Sequence, residues 1–132
     1  MSEGKILVIE DDEHVRTLVK MVLLRGGYEV VEAENGAKGM QALLLGDNPS
    51  TVAVIVCDIH MPEINGTEAI AYFRSHFPTL PIIIMTGHPD YRYAGQVLGR
   101  GVVDYLVKPI PSHVLIDAVR RAVSQYVSRK AS

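Results

Sequence analysis

A single cysteine, Cys57, in 132 residues rules out an intrachain disulfide and favours a reducing compartment. Lys and Arg total 13 against 15 Asp and Glu, and this net charge of −2 offers no global basic field to hold nucleic acid or an anionic membrane. No apolar run approaches the roughly 18 residues of a membrane span, and the N-terminus Met1-Ser2-Glu3-Gly4-Lys5 lacks a signal-peptide pattern. The chain has no Gly-x-x-x-x-Gly-Lys-Ser/Thr phosphate loop and no second cysteine or histidine pair spaced for zinc. Internal repeats and low-complexity segments are also missing. What remains is the expectation of a soluble, cytoplasmic module whose partner is a protein or a small anion. With 48% hydrophobic residues it can bury a core without staples, at a length that suits one domain.

Four short β-branched runs, 6–9, 52–57, 82–85 and 102–107 (with Asp104 interrupting), predict buried parallel strands. A fifth segment, 28–33, mixes Glu29 and Glu32 among valines and suits a more exposed strand. Helical patterns lie between them. The first places Val15, Leu18, Val19, Val22 and Leu23 on one inward face and stops at Gly26-Gly27. A second follows Asn35-Gly36, carries Met40, Leu43 and Leu44, and ends in Gly46-Asp47-Asn48-Pro49. The third covers about 66–76 with Ile70, Phe73 and Phe77 inward. The fourth, about 90–100, contains Gly95 and Gly99 and is predicted to be the weakest. The last starts at Ser112 as N-cap, repeats apolar residues at Val114, Leu115, Ala118, Val119, Ala122, Val123 and Tyr126, and fades into a polar tail. This alternation of strand and helix predicts an α/β fold with a parallel sheet covered on both faces.

The run 52–57 ends in a lone carboxylate, Asp58, followed at once by turn residues. A strand buried on both faces has no place for a charge in its middle, so the carboxylate falls at its carboxyl end, the rim where open α/β sheets bind ligands. Glu10-Asp11-Asp12 follows the first strand in the same way. Carboxylates brought together there raise one another's pKa and call for a cation. Glu10, Asp11 and Asp58 are natural ligands for Mg²⁺, with Mn²⁺ as a substitute. Thr86 and Lys108 end two further strands and add a hydroxyl and an ammonium. Together these groups meet the needs of in-line phosphoryl transfer onto Asp58, which would become an acyl phosphate.

These elements, Glu10-Asp11, Asp58 with Met61-Pro62 and Gly66, Thr86, and Lys108-Pro109, stand in an order and spacing that resembles the receiver domain of bacterial two-component response regulators. The resemblance covers 5–127 and leaves short polar tails at 1–4 and 128–132. It implies a doubly wound, flavodoxin-like sheet of five parallel strands in the order 2-1-3-4-5, with helices on both faces. It further implies that Asp58 accepts a phosphoryl group from a histidine kinase or a histidine phosphotransfer protein. Glu10, Asp11, Asp58 and the backbone carbonyl of His60 would hold Mg²⁺, Lys108 would pair with the phosphoryl oxygens, and Thr86 would move to hydrogen-bond them. Tyr105 matches an aromatic switch residue on the face made by the fourth helix, fifth strand and last helix, and the Lys108-Pro109 bond is expected to be cis. Glu10 replaces the more usual first Asp and reaches one methylene further. His60 and His88 fall where side chains tune access of hydrolytic water, and Gly87 leaves the pocket open.

The expected function is that of a phosphorelay signalling domain rather than an enzyme acting on an external substrate, although it takes part in its own phosphotransfer and autodephosphorylation. Its target is an unidentified protein, without nucleic-acid or membrane contact, and phosphorylation-dependent homodimerisation is one outcome. Because the sequence ends after the last helix, no output domain is expected, which fits a single-domain regulator or a receiver module excised from a longer regulator or hybrid kinase. A different class, a Mg²⁺-dependent phosphatase with Asp58 as nucleophile, is disfavoured because haloacid-dehalogenase-type phosphatases would carry a second Asp at position 60. The remaining polar residues have plainer readings. Asp12 and Glu13 start the first helix. Cys57 is a small buried hydrophobe. Arg120, Arg121, Arg129 and Lys130 form a solvated basic face, and His14, His76 and His113 carry no role.

Overall fold

A parallel sheet puts every strand's carboxyl end on the same rim, and here the strands that end in polar residues lie side by side. The computed structural model describes residues 4–59 and 66–131. Its five strands are β1 (Lys5–Ile9), β2 (Glu29–Ala33), β3 (Val52–Asp58), β4 (Ile82–Thr86) and β5 (Val102–Val107). They pair in parallel in the order β2-β1-β3-β4-β5. This is the doubly wound, flavodoxin-like topology that the resemblance implies. Its switch point lies between β1 and β3, where chain direction across the sheet reverses and a crevice opens. The central strand β3 is buried at all seven positions, whereas the edge strand β2 exposes both glutamates. The run of Val, Ile and Cys in β3 therefore reads as a core strand, and the mixed composition of β2 as an edge.

Helix α1 (Glu13–Arg25) is capped by Asp12, whose side chain accepts from the backbone N–H of His14 at 2.9 Å and Val15 at 3.2 Å. It buries Val19 and Leu23, and ends where Gly27 takes a φ of +93° that favours glycine. Leu18 departs from the expected inward face. It is 62% exposed, because the stripe that contacts the sheet is centred on Val19 and Leu23. Helix α2 (Gly36–Leu43) lies close against β1, and a Cβ at Gly39 would collide with the Ile9 side chain. The helix stops one residue short of Leu44, which is exposed.

A single turn, α3 (Asn48–Thr51), was not expected from Asp47-Asn48-Pro49. A proline in the first helical turn lacks an N–H that would have had no partner there, so it starts this turn instead of only breaking the previous helix. Helix α4 (Gly66–His76) buries Ile70 and Phe73. Helix α5 (Tyr91–Val97) is shorter than the expected 90–100: Leu98 is already extended, and Gly99 follows at φ +84°. Helix α6 (Ser112–Ala131) carries helical backbone through the stretch expected as a tail. Its first turn is anchored by the Pro111 carbonyl, which accepts from Val114 and Leu115, so Ser112 is the first helical residue and not the cap. Helix α1 packs against α6 and α2 against α4, covering the two faces of the sheet. Among the described residues no helix is long and apolar enough to cross a membrane.

Candidate functional site: an acidic rim held by one lysine

Register brings the site together. Ile9 pairs with Cys57, Asp58 with Met85 and Thr86 with Val107, so Glu10, Asp58, Thr86 and Lys108 emerge from four neighbouring strands at one level. Glu10 is fully buried and Asp58 is 4% exposed, while Asp11 faces solvent. One carboxylate oxygen from each of Glu10, Asp11 and Asp58 lies within 4.8 Å of the others. The Nζ of Lys108 donates to Asp58 Oδ2 at 3.0 Å and also to Glu10 Oε1. Among the described residues, these three carboxylates against the Lys108 ammonium leave an excess of negative charge.

That charge distribution shows in the titration of the two buried partners. Burial pushes the Glu10 carboxyl up to about 7, aided by the nearby charge of Asp58, against the opposing hydrogen bonds from Lys108 and from the Asp12 N–H at 3.1 Å. Burial disfavours the Lys108 ammonium, but its hydrogen bonds to Glu10 and Asp58 outweigh this and hold it above the ordinary lysine range. Cys57 lies within the core, and burial raises its thiol pKa well above normal, as expected for an inert small hydrophobe.

The donor set fits a hard divalent cation. All the ligand atoms offered are carboxylate oxygens, and Mg²⁺ at about 2.0–2.1 Å in an octahedron separates opposite oxygens by about 4.2 Å, a spacing of the same size as the cluster. Asp11, the exposed member, leaves that side open to water or to an incoming oxygen ligand. The backbone carbonyl of His60, the remaining expected ligand, lies outside the described residues, as do Met61 and Pro62.

Thr86 is fully buried, and its Oγ1 accepts from the His88 backbone N–H at 3.0 Å. Its own carbonyl accepts from the Lys108 N–H at 2.7 Å, which couples the ends of β4 and β5. The Tyr105 hydroxyl accepts from the Asp90 N–H at 3.0 Å, and Asp90 in turn caps α5 through the N–H groups of Arg92 and Tyr93. These bonds tie the β4–α5 loop to Thr86 through the His88 N–H and to Tyr105 through the Asp90 N–H. The Lys108-Pro109 peptide is cis, as the resemblance implies.

One participant has no motif to announce it. Arg16 Nη1 donates to the Glu10 carbonyl at 2.8 Å, and its Nε pairs with Glu32 at 3.5 Å, a carboxylate that also takes Lys20 at 3.0 Å. Arg16 thus ties the acidic turn after β1 to the neighbouring edge strand. The only sequence signal is an arginine six residues after Glu10, one turn into α1, which is too common a pattern to stand out.

Residues 6–120 match the family model described as "Response regulator receiver domain". The chain belongs to this family. The receiver is 35% identical over 122 residues to the C4-dicarboxylate transport transcriptional regulatory protein DctD of Pseudomonas aeruginosa, an alignment that covers 92% of this chain and 26% of that protein. It is 33% identical over 126 residues to the DNA-binding transcriptional regulator NtrC of Escherichia coli K12, covering 96% and 26% respectively. The receiver therefore spans about a quarter of the length of these relatives. Among solved structures, a response regulator receiver domain protein from Clostridium thermocellum superposes with a TM-score of 0.87 at 28% identity, covering 95% of this chain and 98% of the other.

Proposed function

We propose that Asp58 is the phosphoacceptor of this receiver and takes its phosphoryl group from a histidine kinase or a histidine phosphotransfer protein. The observation that carries this reading is the contact of Asp58 Oδ2 with Lys108 Nζ at 3.0 Å, inside a cluster that also holds Glu10 and Asp11. In the transfer, a carboxylate oxygen of Asp58 attacks phosphorus as the bond from phosphorus to the donor imidazole nitrogen breaks. The electron pair of that bond leaves with the imidazole, and Asp58 becomes an acyl phosphate. Lys108 follows the negative charge from the carboxylate to the phosphoryl oxygens, and the Thr86 hydroxyl, which only accepts in its contact with His88, has its proton to donate to them. Glu10, Asp11 and Asp58 would hold Mg²⁺, which when bound supplies positive charge against the transferring phosphoryl oxygens.

The partner must approach this rim. Beside Lys108, α1 and the start of α6 border a largely apolar groove of about 430 Å³ lined by Val15, Leu18, Val22, Ile110 and Leu115, and this groove supports docking of the donor here. Readout would pass from Thr86 through Asp90 and Tyr105 to the face made by α5, β5 and α6, which exposes Leu98 and Val107. The transcriptional role carried in the relatives' names makes an assembly that controls transcription the favoured target, reached in the cytoplasm. The reading is that of a signalling phosphoacceptor with no external substrate. Incubation with acetyl phosphate and Mg²⁺ followed by intact mass measurement tests it. The expected result is one added phosphoryl group, lost on hydroxylamine treatment and missing from Asp58→Ala. An unmodified wild-type chain, with acetyl phosphate and with a panel of phosphorylated kinases alike, would overturn the reading.

A further inference from the structure

At the opposite rim, where β4 and β5 begin, a groove of about 700 Å³ is bordered by three arginines, Arg74, Arg100 and Arg129. They come from α4, from the loop before β5 and from the last turn of α6. Among the described residues none of the three has a carboxylate partner, in contrast to Arg16 with Glu32 and Arg121 with Asp104. Arg129 Nη1 is shut off from solvent and, among the described residues, has no hydrogen-bond partner, while Nη2 reaches Gln125 Oε1 at 3.5 Å. The stem of Arg74 is seated against Gly101, where a Cβ would lie 3.4 Å from Arg74 Cγ.

Cations at helix C-termini are commonly explained by the helix dipole, and that covers Arg74 and Arg129 in part. It does not cover Arg100, which belongs to no helix, or a guanidinium nitrogen that is desolvated and unpaired. Buried charged donors are normally satisfied, and three like charges around one groove repel unless an anion joins them. We infer that Arg74, Arg100 and Arg129 form an oxyanion site that takes a phosphate group, free or as the ester of a small molecule. Guanidinium forks match phosphate oxygens in a way that lysines do not, and the groove is larger than a phosphate ion, leaving room for an ester substituent. The site lies at the end of the sheet away from Asp58 and does not depend on phosphoacceptor chemistry.

Heteronuclear NMR on the whole receiver, without Mg²⁺ and at constant ionic strength, tests this through the arginine Nε–Hε signals and the amides around 74 and 100–101. Inorganic phosphate and adenosine monophosphate are the probes, with chloride as the control. The expected result is a saturable shift at those signals that chloride does not produce, with tighter binding of the monophosphate if the natural ligand is an ester and of the inorganic ion if it is free phosphate. Arg129→Gln should weaken binding about tenfold, the loss of one charge-assisted contact worth about 1.4 kcal/mol. The exposed Arg100→Gln, which cannot disturb the packing on Gly101, should weaken it similarly. Shifts that never saturate, shifts confined to the neighbourhood of Thr86 and Lys108, or wild-type affinity retained in both variants would overturn the site.

Discussion

The two ends of one sheet carry opposite charge and treat it differently. At the carboxyl rim Glu10 and Asp58 share one lysine with Asp11 alongside, and at the amino rim Arg74, Arg100 and Arg129 border one groove with no carboxylate partner among the described residues. In the first, a resident cation partly neutralises the cluster, and one buried member, Glu10, is driven toward holding its proton. In the second, a guanidinium cannot give up its proton at any ordinary pH, so relief has to come from outside. The acidic rim should therefore respond to pH and divalent cations, and the basic rim to anions alone.

The largest break of this contrast is Lys108→Ala. Removing the shared ammonium leaves Glu10 and Asp58 buried without their cation, at a cost of about 3–5 kcal/mol in stability at pH 8 without Mg²⁺. Denaturant unfolding should show most of this loss recovered near pH 5, where Glu10 is protonated. A loss that does not change with pH would mean that the lysine acts through packing. In the wild type the sign follows from Glu10, whose folded pKa of about 7 lies above its ordinary value of 4.5. The folded state then binds more protons than the unfolded one between these values, so the stability that Glu10 contributes is present below pH 4.5 and is lost as pH rises through 7. The fall should be on the order of 3 kcal/mol in Mg²⁺-free buffer. Glu10→Gln should flatten it, and Arg100→Gln should leave it unchanged.

Arg16→Ala should act on the same rim from behind. With the Glu10 carbonyl released, Mg²⁺ affinity measured by titration should fall about tenfold, within the range for partners that orient metal ligands. Arg16→Lys should restore only part of it, and unchanged affinity in both variants would remove the positioning role. Asp58→Asn should raise the melting temperature without Mg²⁺ by an amount equivalent to about 1 kcal/mol, since relief from Glu10 and Asp11 outweighs a weakened Lys108 contact. A lowered melting temperature would show that the lysine contact dominates. The smallest effect is expected for Tyr105→Phe, which deletes the acceptor of the Asp90 N–H. It should cost about 0.5 kcal/mol and speed amide exchange in α5 while leaving the other helices unchanged.

Legibility of this molecule in its sequence follows the range over which each feature is encoded. The strands and the acidic rim are local: a β-branched run specifies a buried strand, and the residue that ends it has to sit on the rim, which is why Glu10, Asp58, Thr86 and Lys108 could be named together. Features set by three-dimensional fit were less visible. The periodicity that places Leu18 inward is right for a helix but does not say how wide a stripe the sheet will cover. Helix α5 ends at Val97 and not near the predicted Arg100 because the bridge between Leu98 and Val102 competes with the last helical turn. Arg16 works through a main-chain oxygen and a glutamate on another strand, and along the sequence Arg129 groups with Arg120, Arg121 and Lys130. Its groove partners, Arg74 and Arg100, lie on separate elements, so no spacing along the chain could reveal them.

The most direct test of the central claim is to locate the phosphoryl group. Phosphorylated receiver would be reduced with borohydride, which converts an aspartyl phosphate to homoserine, and then digested and sequenced by mass spectrometry. Homoserine is expected at position 58 alone, dependent on Mg²⁺ and sharply reduced in Lys108→Ala. Homoserine at position 11 or 12 with none at 58, or a phosphoryl group on a histidine, would contradict it.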